Sequence, residues 1–145
     1  MKFKAATVFC GSKPGNDPAY ILAAERVGGM LANAGITLVY GGGNKGIMGA
    51  IANACLAATG KVIGIIPTLL LAWEAQHEGL TELIVTDSMH SRKLLLYEKC
   101  DVAIILPGGM GTLDELFEML TWNNLKIHNK IEVFEAVIVA IGIRD

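Results

Sequence analysis

The sequence predicts a single α/β domain of the three-layer, Rossmann-like type, in which helices cover both faces of a doubly wound parallel sheet. Short apolar runs alternate with segments of helical periodicity, and most of these runs are continuous, as in strands that are buried on both faces. The predicted strands are Ala5 to Phe9, Leu38 to Tyr40, Val62 to Ile66, Leu83 to Val85 and Val102 to Leu106. With 145 residues, of which 52% are hydrophobic, the chain has the size of one such domain.

Local signals predict a helix after the first, second, fourth and fifth strands. Asp17 is a predicted N-cap, Pro18 takes the first helical position, and Gly35 ends the first helix. The inward face of this helix is predicted to carry Tyr20, Ala23, Val27, Met30 and Ala34. The other three helices are predicted to begin near Gly46, Ser88 and Thr112.

The charges, cysteines and histidines of the chain indicate which partners, compartment and metals to expect. The chain has 12 Lys and Arg against 14 Asp and Glu, without a block of either sign, so we expect no nucleic acid and no membrane as partner. Three separated cysteines and no secretory leader favour a cytoplasmic protein. The three histidines lack the spacing of metal ligands, and we therefore expect no metal. We expect no cofactor either.

Three of the predicted strands are followed by glycine-rich turns, which is the strongest functional signal. These turns begin at Gly11-Ser12, at Gly41-Gly42-Gly43 and at Pro107-Gly108-Gly109. In a parallel sheet they share the carboxyl edge, where open α/β folds bind ligands. Bare amides at a helix N-terminus there suit a phosphate. The alternative is that each glycine only permits a tight turn.

The spacing Gly41-x-Gly43-x-x-Gly46 matches the dinucleotide-binding fingerprint formally. That fingerprint needs an acidic residue at the end of the next strand to hold the ribose, and the chain instead reads Ile65-Ile66-Pro67-Thr68. The turn therefore favours a lone phosphate or a mononucleotide over NAD or FAD.

Charged residues near these turns have both a structural and a functional interpretation. Thr112-x-x-Glu115 fits a capping box, which would explain the glutamate without chemistry, although a capping carboxylate can also face a ligand. Arg92 and Lys93 lie on a leucine-rich predicted helix, where a solvated surface position is the simpler interpretation.

Taken together, three motifs resemble those of the LOG ("lonely guy") family of cytokinin riboside 5′-monophosphate phosphoribohydrolases, once labelled possible lysine decarboxylases. These motifs are Gly41-Gly42-Gly43, Met89-His90-Ser91-Arg92-Lys93 and Pro107 to Glu115, and the resemblance covers about residues 4 to 130. It implies hydrolysis of the N-glycosidic bond of an adenine-type nucleoside 5′-monophosphate, which gives the free base and ribose 5-phosphate. A non-catalytic nucleotide-binding or phosphate-binding module of the same fold is the alternative.

The resemblance also implies roles for individual residues. Arg92 and Glu115 correspond to the catalytic pair of the family, and Glu115 either stabilises the oxocarbenium-like sugar or orients the attacking water. The implied substrate-binding and phosphate-binding residues are Ser12, Gly41, Gly42, Gly43, Glu74, Lys93, Gly108, Gly109, Gly111, Thr112 and Thr121. The implied assembly is a homodimer or a higher homo-oligomer with the site near the subunit interface.

Two further expectations come from comparison with the family. Lysine decarboxylation needs a pyridoxal phosphate Schiff base on a lysine in a much larger scaffold, and no lysine here has such a context. After about residue 130 the sequence departs from the family pattern, so residues 1–145 are interpreted as one LOG-type domain with an atypical or truncated C-terminal part.

Overall fold

The computed structural model describes residues 3–73, 76–124 and 131–133. Its sheet has six parallel strands in the order β4-β3-β2-β1-β5-β6. The strands are β1 (Ala5–Phe9), β2 (Thr37–Tyr40), β3 (Val62–Pro67), β4 (Glu82–Thr86), β5 (Val102–Ile105) and β6 (Ile131–Val133). From β1 the chain builds outward to β4 on one side and then returns to place β5 on the other side. The topological switch point therefore lies between β1 and β5, which pair from Ala6 with Val102 to Phe9 with Ile105.

In the part of the chain that the structure describes, five helices connect the strands: α1 (Pro18–Asn33), α2 (Gly46–Ala57), α3 (Thr68–Leu71), α4 (Met89–Glu98) and α5 (Met110–Asn124). The first helix begins and ends as predicted, because the Asp17 side chain accepts from the amide of Ala19 and Gly35 has a φ of 71° beyond the last turn. Ser88 caps α4 by accepting from the amide of Ser91. Among the helices in the described ranges only α3 was not predicted, since one turn is too short to show periodicity. The strand β6 was not among the predicted strands either.

The core has two layers, one on each face of the sheet. One layer joins Val8 and Leu38 of the strands to α1 and α2. The other joins their neighbours Phe9 and Val39 to Leu96 of α4 and to α5. Because successive residues of one strand are buried in opposite layers, the strands have to be apolar throughout. The predicted three-layer Rossmann-like fold is confirmed.

The predicted inward face of α1 is partly wrong, because Tyr20 and Val27 pack against the core as predicted but Ala34 is exposed. Ala24, Gly28 and Leu31 are the buried residues, whereas Ala23 and Met30 are exposed. A Cβ on Gly28 would lie 2.5 Å from the carbonyl oxygen of Ile51 in α2. The two helices thus approach through their smallest residues, which a search for large apolar side chains overlooks.

None of the helices in the described ranges combines the length and the apolar character that crossing a bilayer requires.

Candidate active site

A cavity of about 620 Å³ lies at the switch point between β1 and β5. It is lined by the turn after β1, the turn after β5, and the N-terminal parts of α2, α4 and α5. The lining includes Ser12, Lys13, Arg92, Lys93, Gly108, Gly109, Gly111, Thr112, Asp114 and Glu115. This is the crevice in which open α/β sheets bind ligands, and the volume suits a small molecule.

The turns after β1 and β5 are joined by their backbones at the base of the cavity. The amide of Gly11 donates to the carbonyl of Pro107 at 2.9 Å, and a Cβ on Gly11 would lie 3.2 Å from the Cα of Gly108. The glycines at positions 11 and 108 therefore permit a close approach that larger residues would prevent.

The N-terminus of α5 opens into the cavity. The helix begins at Met110, and the carbonyl of Gly109 accepts from the amide of Leu113 at 3.3 Å. The capping-box interpretation of Thr112 and Glu115 is therefore wrong, because Thr112 is the third residue of the helix and not its N-cap. The first amides of a helix have no partner within that helix. Gly109, Met110 and Gly111 line the cavity, so these donors lie at its wall.

Arg92 is buried, with 6% of its surface exposed, and it lines the same cavity. Its Nε donates to the carbonyl of Ile65 at 2.9 Å, and its Nη2 donates to the carbonyl of Gly41 at 2.7 Å. These carbonyls belong to the end of β3 and to the turn after β2, so the sheet itself fixes the guanidinium. The alternative of a solvated surface arginine is wrong.

Glu115 lies in the second turn of α5 and lines the cavity together with Arg92. Burial, and secondly the charge of Glu115, raises the pKa of the Cys10 thiol, so the carboxylate lies within electrostatic reach of the end of β1. The backbone at Glu115 is held from α4, because the hydroxyl of Tyr97 donates to its carbonyl at 3.0 Å.

Lys93 lies between two carboxylates of α5. Its Nζ is 2.7 Å from Asp114 Oδ2 and 2.9 Å from Glu118 Oε2, and only 17% of the side chain is exposed. Hydrogen bonds to Asp114 and Glu118 raise the pKa of Lys93. The ammonium is therefore neutralised within the protein and links α4 to α5 next to Glu115. A surface position is wrong for this residue as well.

The turn formed by Gly41, Gly42 and Gly43 is buried and does not line the cavity. Gly42 has a φ of 83° and packs against Ile66 of β3. The hydroxyl of Tyr40 donates to the carbonyl of Gly43 at 2.7 Å. This turn contributes to the site through the carbonyl of Gly41, which anchors Arg92.

His77, in the loop between α3 and β4, binds that loop to this turn. Its amide donates to the carbonyl of Gly42 at 2.9 Å. Its Nδ1 accepts from the amide of Gly79, so the proton is on Nε2, which donates to Asn53 Oδ1 at 2.6 Å. Burial lowers the pKa of His77, and the imidazole is held in its neutral form.

Besides the turn at Gly41, Gly42 and Gly43, two further residues named from the sequence are not part of the described cavity wall. Thr121 is exposed on α5, and its hydroxyl donates to the carbonyl of Phe117 at 2.8 Å. Glu74 lies outside the described residues. Within the described ranges, no group of three or more His, Cys, Asp or Glu side chains could hold a metal ion.

Several residues that line the cavity were not assigned to the site from the sequence. These include Cys10, Lys13, Tyr20, Met48, Leu70, Met89 and Asp114. Lys13 directly follows Ser12 in the turn after β1, so the rule that singled out that turn could have identified it. The apolar members carry no local signal, because only the strand order brings them together.

Comparison with known proteins finds similar sequences over most of the chain. Residues 48–137 match the family model described as "Possible lysine decarboxylase". The cytokinin riboside 5′-monophosphate phosphoribohydrolase of Rhodococcoides fascians is 50% identical over 128 residues, which are 88% of this chain and 65% of that protein. The enzyme of the same name, LOG1, from Arabidopsis thaliana is 45% identical over 129 residues, which are 89% of this chain and 61% of that protein. The chain thus spans less than two thirds of the length of these relatives.

Solved structures share the fold. The X-ray structure of TM1055 superposes with a TM-score of 0.69 at 25% identity, covering 81% of this chain and 69% of that one. A molybdenum cofactor carrier protein from Chlamydomonas reinhardtii gives a TM-score of 0.72 at 22% identity, covering 83% of this chain and 72% of that one. The second likeness shows the common fold alone.

Proposed function

The chain belongs to the family described as "Possible lysine decarboxylase", the LOG family that its motifs resemble, and from this membership we propose that it is a phosphoribohydrolase. The proposed reaction is hydrolysis of the N-glycosidic bond of adenine-type, cytokinin-like nucleoside 5′-monophosphates. Water adds its oxygen to C1′ of the ribose, and the base leaves with the bonding electron pair and takes up a proton. The products are the free base and ribose 5-phosphate.

The observation that carries this proposal is the meeting of Arg92 and Glu115 in one cavity at the switch point. Cleavage of the ribosyl bond develops positive charge on the sugar, and a fixed carboxylate stabilises that charge more in the transition state than in the ground state. Glu115 is held for this task by Tyr97 at its backbone. Arg92, fixed by two carbonyls, is proposed to bind substrate oxygens.

The phosphate is proposed to bind where α5 begins. Ser12, Gly108, Gly109, Gly111 and Thr112 line this end of the cavity. Unpaired amides and the positive end of the helix dipole favour an anion there. Binding the phosphate at a distance from C1′ lets its binding energy position the reacting carbon.

The family's older label suggests lysine chemistry, which the environment of Lys93 disfavours. A Schiff-base lysine needs a lowered pKa, so that the neutral amine can attack a carbonyl. Asp114 and Glu118 instead raise the pKa of Lys93 and hold it as the ammonium.

The proposed assembly is a homodimer or a higher homo-oligomer. Large apolar side chains are exposed at several places in the described part of the chain, among them Trp73 (81% exposed), Met110 (76%) and Phe117 (60%). Such exposure is typical of surfaces that a partner covers. A monomer measured by light scattering at micromolar concentration would contradict this assembly.

Incubation with AMP and with an N6-substituted analogue, followed by chromatography of the released base, tests the proposed reaction. We expect base release from both nucleotides, and a loss of about 100- to 1000-fold in kcat for Glu115→Gln with an unchanged melting temperature. Glu98→Gln, which makes the same change at an exposed glutamate of α4 outside the cavity, is the control and should keep the turnover. Nucleotide binding without base release by the wild type would favour the non-catalytic module instead.

A further inference from the structure

The cationic side chains that line the cavity differ in how many hydrogen-bond and ion-pair partners they have within the protein. Arg92 donates to two backbone carbonyls, and Lys93 is paired with Asp114 and Glu118. Lys13 also lines the cavity, yet it has no hydrogen-bond or ion-pair partner among the residues that the structure describes. Of these three cations, Lys13 is therefore the one whose side chain has no partner in the described ranges, which leaves its ammonium available to a ligand.

The backbone that carries Lys13 is fixed on two sides. The amide of Gly11 donates to Pro107 at 2.9 Å, and the carbonyl of Gly11 accepts from the amide of Met48 in α2 at 3.1 Å. Gly46, with a φ of 61°, lies so close that a Cβ there would overlap the Ser12 carbonyl. The exposed side chain of Lys13 thus starts from a defined place beside the turn after β5.

A phosphate monoester in this cavity carries about two negative charges near neutral pH. The N-terminus of α5 supplies the equivalent of roughly half a positive charge. The two carboxylates that line the cavity, Asp114 and Glu115, oppose an anion. An ammonium on a flexible stem is a suitable additional partner, because it binds phosphate as a point charge and needs no fixed bidentate geometry.

We propose that Lys13 binds the 5′-phosphate of the nucleotide across the cavity from the N-terminus of α5. This inference rests on the proposed function, because it needs a phosphorylated substrate in this cavity. Lys13 is then a determinant of specificity for the nucleotide over the nucleoside. Because the side chain is exposed, its contribution depends on ionic strength.

The test measures the Kd of AMP, ribose 5-phosphate and adenosine for the wild type, Lys13→Ala, Lys13→Arg and Lys45→Ala. Lys45 is an exposed lysine at the same edge of the sheet that does not line the cavity, which makes it the matched control. For Lys13→Ala we expect the Kd of AMP and ribose 5-phosphate to rise about tenfold and that of adenosine to stay unchanged. The effect should shrink with added salt, Lys13→Arg should restore most of the affinity, and Lys45→Ala should match the wild type.

The outcomes separate this inference from the proposed reaction. If the wild type binds AMP tightly but releases no adenine, the proposed hydrolysis fails, while the affinities of the Lys13 variants still support or overturn the phosphate contact. An unchanged Kd of AMP in Lys13→Ala overturns the contact. An equal loss of AMP and adenosine binding also overturns it, since that result indicates a distorted loop. Failure of the wild type to bind either phosphorylated compound overturns both proposals.

Discussion

Two glycine-rich turns follow parallel strands at the same edge of the sheet, and their surroundings differ. Around Gly109 and Gly111 the backbone is open, because a Cβ at either position would meet nothing within 4 Å. Around Gly41 the backbone is enclosed, since a Cβ there would overlap Nη2 of Arg92 and lie 3.1 Å from Met48. The first turn offers amide donors to a ligand, whereas the second offers a carbonyl acceptor to a side chain of the protein.

The difference follows from where each turn lies in the sheet. The turn after β5 borders the switch point and leads directly into α5 at Met110. The turn after β2 lies one strand away from the switch point, and its backbone is covered by Arg92 and by the loop that His77 fastens. Similar glycine content therefore serves ligand access in one turn and close packing in the other.

Gly41→Ala is expected to give the largest effect of this comparison. The added methyl group displaces the guanidinium of Arg92, which is the end of a flexible side chain, so the fold can adapt while the site is disturbed. We expect kcat/KM for AMP to fall about 100-fold, as misplacement by about 1 Å can cause. Circular dichroism should show a retained fold, and wild-type turnover would show that the Arg92 anchor is dispensable.

Gly109→Ala is the matched control in the open turn. Because the added methyl group contacts no protein atom, we expect a free energy of unfolding within about 0.5 kcal/mol of the wild type. Any effect should be a severalfold increase in KM for the nucleotide with kcat nearly unchanged. A loss of kcat as large as that of Gly41→Ala would erase the distinction between the two turns.

The smallest expected effect is on the free energy of unfolding, through the protonation of His77, which binds the enclosed turn at Gly42. Burial lowers its folded-state pKa below the usual 6.5, so the unfolded chain takes up the proton first as the pH falls. The stability contribution of the neutral ring is therefore full above about pH 6.5 and is lost as the pH falls through 6.5 towards the folded-state pKa. Loss of the bond from the Gly79 amide to Nδ1 should cost on the order of 1 kcal/mol.

Denaturant unfolding between pH 5 and 8 measures this effect. His77→Gln should be less stable at pH 8 and should lose part of the dependence on pH. His90→Gln, which changes an exposed histidine, should retain the dependence. Equal pH dependence in the wild type and His77→Gln would show that the ring is not the titrating group.

Much of this architecture could be predicted from local sequence, because burial on both faces makes the central strands β1, β2, β3 and β5 nearly continuous apolar runs. The cap at Asp17 and the stop at Gly35 likewise act within a few residues and were predicted correctly. The enclosure of Gly41 could not be predicted, since the contact with Arg92 joins residues 51 positions apart. The start of α5 was predicted near Thr112, because Thr112 and Glu115 fit a capping pattern. The helix instead begins earlier, at Met110.

The local sequence pattern also could not predict that Arg92 and Lys93 are largely buried. Arg92 and Lys93 stand in a leucine-rich helix whose spacing looks like an ordinary surface. Their acceptors come from other elements, namely β3, the turn after β2, and α5. The family resemblance identified both residues as part of the site. The local sequence pattern alone predicted that both side chains are exposed to solvent.

A crystal structure with bound ribose 5-phosphate would test most directly whether the turn after β5 binds the phosphate while the turn after β2 only anchors Arg92. The account predicts the phosphate within hydrogen-bonding distance of the amides at the start of α5, with Nζ of Lys13 on its other side. The hydroxyl at C1 should lie towards Glu115 and Arg92. A phosphate bound against Gly41, Gly42 and Gly43, or outside the cavity at the switch point, would contradict it.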